Sequence, residues 1–348
     1  MNDRTRGGRL SRRTAIGTLA AGASGLLAAP AVFAADEPLK VRFATQRGLL
    51  YLPVDTMITG GVLQRQADQA GLGKVEMTAN PLGGPGDVND ALLSGAADYG
   101  TISLVTFLTL WEKTRGTANE MRALGTMANG AMTLYTINPN IKTIADFTDQ
   151  DRIAVPSVKL SFNSMVLQVA AEKLWGDPMR LSHLEVPLSH PDAVAALSAG
   201  YGRASITAHV GIQPFTDRGL KIPGAHVVTD SLKEFGGPLT QILLVCSKKV
   251  KEQNPALFKA VGAALEESIK VANADKRASA ELWKKVQNAP DKIEDIVKLI
   301  SDPGFEFTSK PQRVVQFSGF LNRMGRLKPK VETWKDIFWE TAYGQEGS

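Results

Sequence analysis

Cysteine is nearly missing from this 348-residue chain. Cys246 stands alone, so no internal disulfide can form whatever the redox compartment. It lies in the apolar run Gln241-Ile242-Leu243-Leu244-Val245-Cys246, which reads as a buried strand with an inert thiol. Histidine is scarce too: His183, His190, His209 and His226 show no metal-ligand spacing. Also missing are the G-x-x-x-x-G-K-[ST] phosphate loop, H-E-x-x-H, C-x-x-C and the G-x-S-x-G elbow. These absences point away from the commonest nucleotide, zinc, redox and hydrolase chemistries, and no cofactor is expected.

An excess of charge is lacking as well, although the total of +5 suggests otherwise. Five arginines and one aspartate fall in residues 1–34; removing them from 40 basic and 35 acidic residues leaves 35 and 34. A body near neutrality argues against nucleic-acid or membrane-surface partners, which are held by surplus Lys and Arg. The first 34 residues instead have the layout of a signal peptide: a basic start, an apolar run over 15–29, and the small-residue site Val32-Phe33-Ala34. Ser11-Arg12-Arg13 adds a twin-arginine feature, with Ala15 and Gly17 where a bulky apolar residue and a lysine are commonest. The run is short and weakly apolar for a membrane span. Cleavage near Ala34 and a periplasmic location are the expectation.

Strand and helix patterns alternate along the rest. Strands are expected at 41–46, 75–80 and 99–102, with helices at 53–70, 87–94 and 104–113. The same order restarts with strands at 152–155, 184–187 and 204–208 and helices at 161–174 and 192–199. Leu92-Leu93-Ser94-Gly95 and Leu197-Ser198-Ala199-Gly200 end corresponding helices about a hundred residues apart, a weak internal echo. Residues 124–137 look like one long extended crossing; 227–230 and 241–246 are further strands; 255–273, 276–288, 293–300 and 311–323 are helical by spacing. This predicts an α/β fold of two lobes, each a mixed or parallel sheet flanked by helices. Residues 35–127 and 236–348 would form lobe one and 128–235 lobe two, with a hinge at the two crossings.

The loops between strands and helices hold the residues that can meet a ligand. Pro156-Ser157-Val158-Lys159-Leu160-Ser161-Phe162-Asn163-Ser164 opens a helix, whose free N–H groups and positive dipole end suit an anion. Ser157, Ser161 and Asn163 add neutral donors, or Ser157 or Ser161 merely caps the helix. Asn80-Pro81-Leu82-Gly83-Gly84-Pro85 lets a backbone approach a ligand, or is a plain turn. Arg47, after the first strand, pairs with an anionic group or is solvated. Ser103 ends the third strand and offers a hydroxyl or a cap. His209 follows the 204–208 strand and faces a cleft, or is structural.

With these residues in view, the chain resembles the nitrate/sulfonate/taurine-type solute-binding proteins of ABC importers. The resemblance runs through Val41-Arg42-Phe43-Ala44, Ala91-Leu92-Leu93-Ser94-Gly95-Ala96-Ala97-Asp98-Tyr99-Gly100, Ile144-Ala145-Asp146-Phe147 with Arg152-Ile153-Ala154-Val155-Pro156, Asp192-Ala193-Val194-Ala195-Ala196-Leu197 and Gln213-Pro214-Phe215. It implies a type II periplasmic-binding-protein fold that closes about a hinge on a small solute. It also implies a membrane permease as partner and ligand groups from Gln46, Arg47, Gly83, Gly84, Ser103, Ser157, Ser161 and Asn163. His209 to Pro214 departs from the aromatic-acidic-proline run frequent in the family, and Arg203 stands where an aspartate is usual. The expected role is binding without chemistry of a small organic anion, sulfonate- or taurine-like, by a monomer. An exported enzyme, a ligand sensor and the intracellular pyrimidine-synthesising branch of the fold are the alternatives.

Overall fold

β-Branched and apolar runs bounded by Gly, Pro and Asn set the strands, and the computed structural model describes them over residues 37–348. The expected signal peptide at 1–34 lies outside the described residues. In chain order the strands are β1 (Leu39–Gln46), β2 (Val75–Leu82), β3 (Tyr99–Ser103), β4 (Met121–Gly130), β5 (Thr133–Thr136) and β6 (Ile153–Val155). They continue as β7 (Glu185–Pro187), β8 (Ala208–Gly211), β9 (His226–Asp230), β10 (Ile242–Ser247) and β11 (Phe305–Phe307). One sheet has the order β11-β4-β10-β3-β1-β2 and the other β7-β6-β8-β5-β9. Within each, a parallel trio (β2-β1-β3 or β7-β6-β8) meets strands that run the other way.

The chain passes from the first sheet to the second between β4 and β5, and back between β9 and β10. The two passages lie side by side. Gly130 N donates to Gln241 Oε1 at 3.0 Å, Ser231 N to Met132 O at 2.9 Å, and Met132 N to Ser231 Oγ at 3.0 Å. What reads in sequence as one crossing at 124–137 is two strands parted by Ala131 and Met132.

Three other expectations needed tertiary information. The helix expected at 53–70 is two, Leu52–Thr59 and Val62–Gln69. Gly61 turns the chain with φ 69°, and a Cβ at Gly60 would lie 2.5 Å from Thr56 O, so the pair breaks the helix. The helix expected from an Asp87 cap starts earlier, at Pro85–Leu93; Gly84 is the cap residue and Asp87 Oδ2 accepts from Gly84 N. The strand expected at 204–208 is β8, shifted to Ala208–Gly211. Gly200 and Gly202, with φ of 84° and 81°, hold the preceding residues in turns.

His209 is thereby a residue of the strand, where side chains alternate between the two faces. Val210 and Ala208 join the main core, whereas Tyr135 and Ala154 belong to a second apolar cluster with Ala193, Leu197 and Ile206. His209 lies opposite Tyr135 in the β5–β8 register, on that second face. The packing there is tight: a Cβ on Gly219 would lie 2.0 Å from Tyr135 Oη. Gly219→Ala is therefore expected to lower stability by about 2 kcal/mol through overpacking, read as a lower urea midpoint with unchanged slope.

Candidate functional site

The parallel strands of both sheets end at one place, and a narrow cleft lies there between the lobes. Gln46 ends β1 and Ser103 ends β3; Pro156 follows β6 and Ile212 follows β8. All four line the cleft, as do Ser161 and Asn163. Ligands of open α/β sheets bind at such carboxyl ends. The enclosed space is about 20 Å³, little more than one water needs. A solute of several heavy atoms requires the lobes to part. Contacts that hold them together include Leu49 N to Gln213 O at 3.2 Å, Thr106 Oγ1 to Leu160 O at 3.3 Å and the Arg218–Asp291 ion pair.

Among the described residues, no Asp, Glu, Lys or Arg lines this cleft. Its polar groups are hydroxyls, amides, one imidazole and backbone. Ser161 caps the helix Phe162–Trp175: its Oγ accepts from Ser164 N at 3.3 Å and donates to Ser157 O at 2.8 Å. The N–H groups of Phe162 and Asn163 in the same turn have no acceptor among the described residues. Asn163 is 4% exposed; its Nδ2 donates to Val210 O at 2.7 Å. Gln46 Nε2 donates to Thr101 O at 3.2 Å, and the Ser103 and Thr106 hydroxyls are hydrogen-bonded to each other at 3.0 Å. Tyr51, Met132 and Ile212 supply apolar wall.

Glu185 stands behind the helix start, buried, and accepts from Lys159 N at 2.9 Å and from Ser164 Oγ at 2.7–2.8 Å. Burial pushes its carboxyl above the usual range, against the opposing pull of these donors and of Lys159 and Arg326. Arg326 completes the network by donating to Gln168 Oε1 at 2.7 Å and to Lys159 O. These bonds hold Lys159 at φ 62° and so shape the loop that carries Ser157.

Gln46, Ser103, Ser161 and Asn163 thus converge on one cleft. Gly84 and Ser157 meet at its edge, where a Cβ on Gly84 would lie 3.5 Å from Ser157 Oγ. Three expected residues go elsewhere. Gly83 is exposed on the outer side of its turn. Arg47 points away, exposed, and donates to Gln287 O at 3.3 Å, at the negative end of the helix Lys276–Gln287. Arg47→Ala is expected to cost under about 1 kcal/mol of stability by chemical denaturation, as an exposed contact should. His209 is 0% exposed and sits within β8, not after it. It reaches the cleft only through His190, whose Nδ1 lies 2.8 Å from His209 Nε2.

His190 itself lines the cleft, a role that the absence of metal-ligand spacing does not reveal. A signal was present: Ser189-His190-Pro191-Asp192 follows a strand and opens a helix, with Ser189 as cap. Among the described residues no group of three His, Cys, Asp or Glu side chains is placed to hold a metal ion.

No protein-family model matches the chain, and no curated protein does either. Solved structures match over most of its length. The periplasmic aliphatic sulphonate binding protein of Escherichia coli is 18% identical over 87% of this chain and 93% of its own, with a TM-score of 0.62. The periplasmic nitrate-binding protein of Synechocystis is 13% identical over 88% of each, at 0.69. The ligand-binding component of an ABC-type import system from Staphylococcus aureus, with zinc bound, is 14% identical over 88% of this chain and 98% of its own, at 0.67. These likenesses give the chain the two-lobed periplasmic binding protein fold.

Proposed function

We propose that this protein is the extracytoplasmic solute-binding component of an ABC import system. It captures a small organic solute with an oxyanion head, sulfonate-like, and presents it to a membrane permease. The carrying observation is the cleft at the converging strand ends, lined by Phe162 and Asn163, whose backbone N–H groups have no acceptor among the described residues. A helix start of this kind holds an oxyanion without a cation beside it. Tyr51, Met132 and Ile212 would cover an apolar tail. The sulfonate- and nitrate-binding neighbours support the same class. In this reading residues 35–127 with 236–348 close on 128–235 about the clasped passages at Gly130–Met132 and Ser231–Gln241. The solute is sealed and both lobes offer one docking surface.

A thermal-shift screen of the purified protein against alkanesulfonates, taurine, nitrate, carboxylates and pyrimidines tests it. A solute at about 100 times its Kd adds about 2.7 kcal/mol and raises Tm. The expected hit is a sulfonate, lost in Ser103→Trp, whose indole takes the solute's place between the parted lobes, while the far-UV circular dichroism of the ligand-free protein is unchanged. A hit confined to neutral or cationic compounds overturns the oxyanion assignment.

A further inference from the structure

Three polar groups stand in a row behind and within the cleft wall, and one arrangement of protons satisfies all of them. Tyr135 Oη lies 2.9 Å from His209 Nδ1, and His209 Nε2 lies 2.8 Å from His190 Nδ1. Tyr135 and His209 are both 0% exposed. The hydroxyl has no other partner among the described residues and is pressed against Gly219. Were His209 to donate from Nδ1, the phenolic proton would be buried with no acceptor, which native interiors avoid. Tyr135 therefore donates to His209 Nδ1.

The rest follows from valence. A neutral imidazole carries one N–H. With Nδ1 accepting, His209 carries its proton on Nε2 and donates it to His190 Nδ1. His190 must then carry its own proton on Nε2. That nitrogen has no partner among the described residues, and the ring lines the cleft. Stacking fixes the ring plane: His190 lies on Phe215 with centroids 5.7 Å apart and planes at 17°. Burial holds His190 down at about 3 and His209 well below its ordinary value, so both are neutral near pH 7.

We infer that the Tyr135–His209–His190 relay locks His190 as a neutral Nε2–H donor to the cleft, so that a bound solute must place a hydrogen-bond acceptor against it. The choice of acceptor rests on the solute-binding reading above; the proton order does not. A sulfonate oxygen fits such a donor. An ammonium group meets an N–H with no lone pair and is rejected, as sites built around one polarity reject the other.

Nitrogen NMR on the full chain labelled with ¹⁵N-histidine reads the proton order without any solute. At pH 7 both His190 and His209 are expected as Nε2–H tautomers. An Nδ1–H signal from either ring, or a charged His190, overturns the relay. Tyr135→Phe removes the lock and is expected to turn at least one of the two rings into a tautomer mixture; unchanged tautomers would remove Tyr135 from the assignment. Butanesulfonate and butylammonium are the matched solute probes. The sulfonate is expected to stabilise the protein and to bind about tenfold more weakly to His190→Phe, one hydrogen bond's worth. Preference for butylammonium overturns the acceptor rule. If neither probe binds while both rings are Nε2–H, the relay stands and the sulfonate reading falls.

Discussion

Replacing Glu185 with alanine is expected to lower stability by about 3 kcal/mol, whereas Glu185→Gln changes it by less than about 1 kcal/mol. Alanine leaves the Lys159 N–H and the Ser164 Oγ–H without the carboxylate that accepts them, while Ser164 Oγ still accepts from Gln168 Nε2. Losing two bonds to a charged acceptor outweighs the relief of no longer burying the charge. Glutamine keeps an oxygen for Lys159 N and a polar partner for Ser164, and it removes the desolvation that pushes Glu185 up. The sign follows: a carboxyl raised in the folded state destabilises when ionised, so the glutamine variant gains on wild type as pH rises above the ordinary carboxylate range. Urea denaturation at pH 5 and pH 8 reads both effects. Alanine should also weaken solute binding, because Lys159 at φ 62° loses the bond that holds its loop against Gly84. Equal stability of the alanine and glutamine variants would show that the two donors are satisfied by water instead.

Between pH 7 and pH 4.5, Asp55→Asn protein is expected to lose roughly 3 kcal/mol more stability than wild type. Two opposing titrations give this result. His190 and His209 are held neutral in the fold, below their ordinary 6.5. Their contribution is complete above about 6.5 and falls as pH drops, because the unfolded chain binds the protons that the folded chain refuses. Each fully sealed histidine loses about 1.4 kcal/mol per pH unit in that window. His190 is partly open to the cleft and is discounted. Asp55 works the other way. It is 6% exposed, accepts from Gln287 Nε2 at 2.8 Å and is pushed up to about 7 by burial. Its protonation below 7 stabilises the fold and offsets about one histidine. Asparagine removes that offset. Carboxylates held down by donors, such as Asp146 and Asp151, titrate below this window. Tm measured against pH for the two proteins separates the terms; parallel curves would mean that Asp55 is ionised throughout.

Both predictions turn on residues to which the chain itself gives little prominence. Glu185 looks like the end of a short strand, and Asp55 like a polar residue on an amphipathic helix. Their burial comes from what packs over them: the helix Phe162–Trp175 with Arg326 in one case, and Gln287 in the other. The same distinction runs through the cleft. Ser161 and Asn163 were legible because a strand, a Ser cap and an apolar helix follow in order. Gln46 and Ser103 were legible because they close apolar runs. Arg47 was misplaced because nothing local reveals that the end of the helix Lys276–Gln287, some 240 residues later, takes its guanidinium. His190, at a helix start, is hard to single out because its importance lies in a bond to His209, nineteen residues away on strand β8.

The chain by itself determined the alternation of strands and helices, the two lobes' similar build, the strand-to-helix loops that line the cleft and the near-neutral body. These follow from local pattern: period, caps, glycines and charge count. The tertiary structure decided which loops meet, that among the described residues no charged side chain lines the cleft, that His209 lies inside β8 and not beyond its end, and that a tyrosine and two histidines stand within hydrogen-bond distance in a row. Those facts depend on register and on contacts between residues far apart in sequence. Where a strand begins is set by its partners across the ladder, and no local pattern in residues 199–208 shows that β8 pairs with β5 only from Ala208 on.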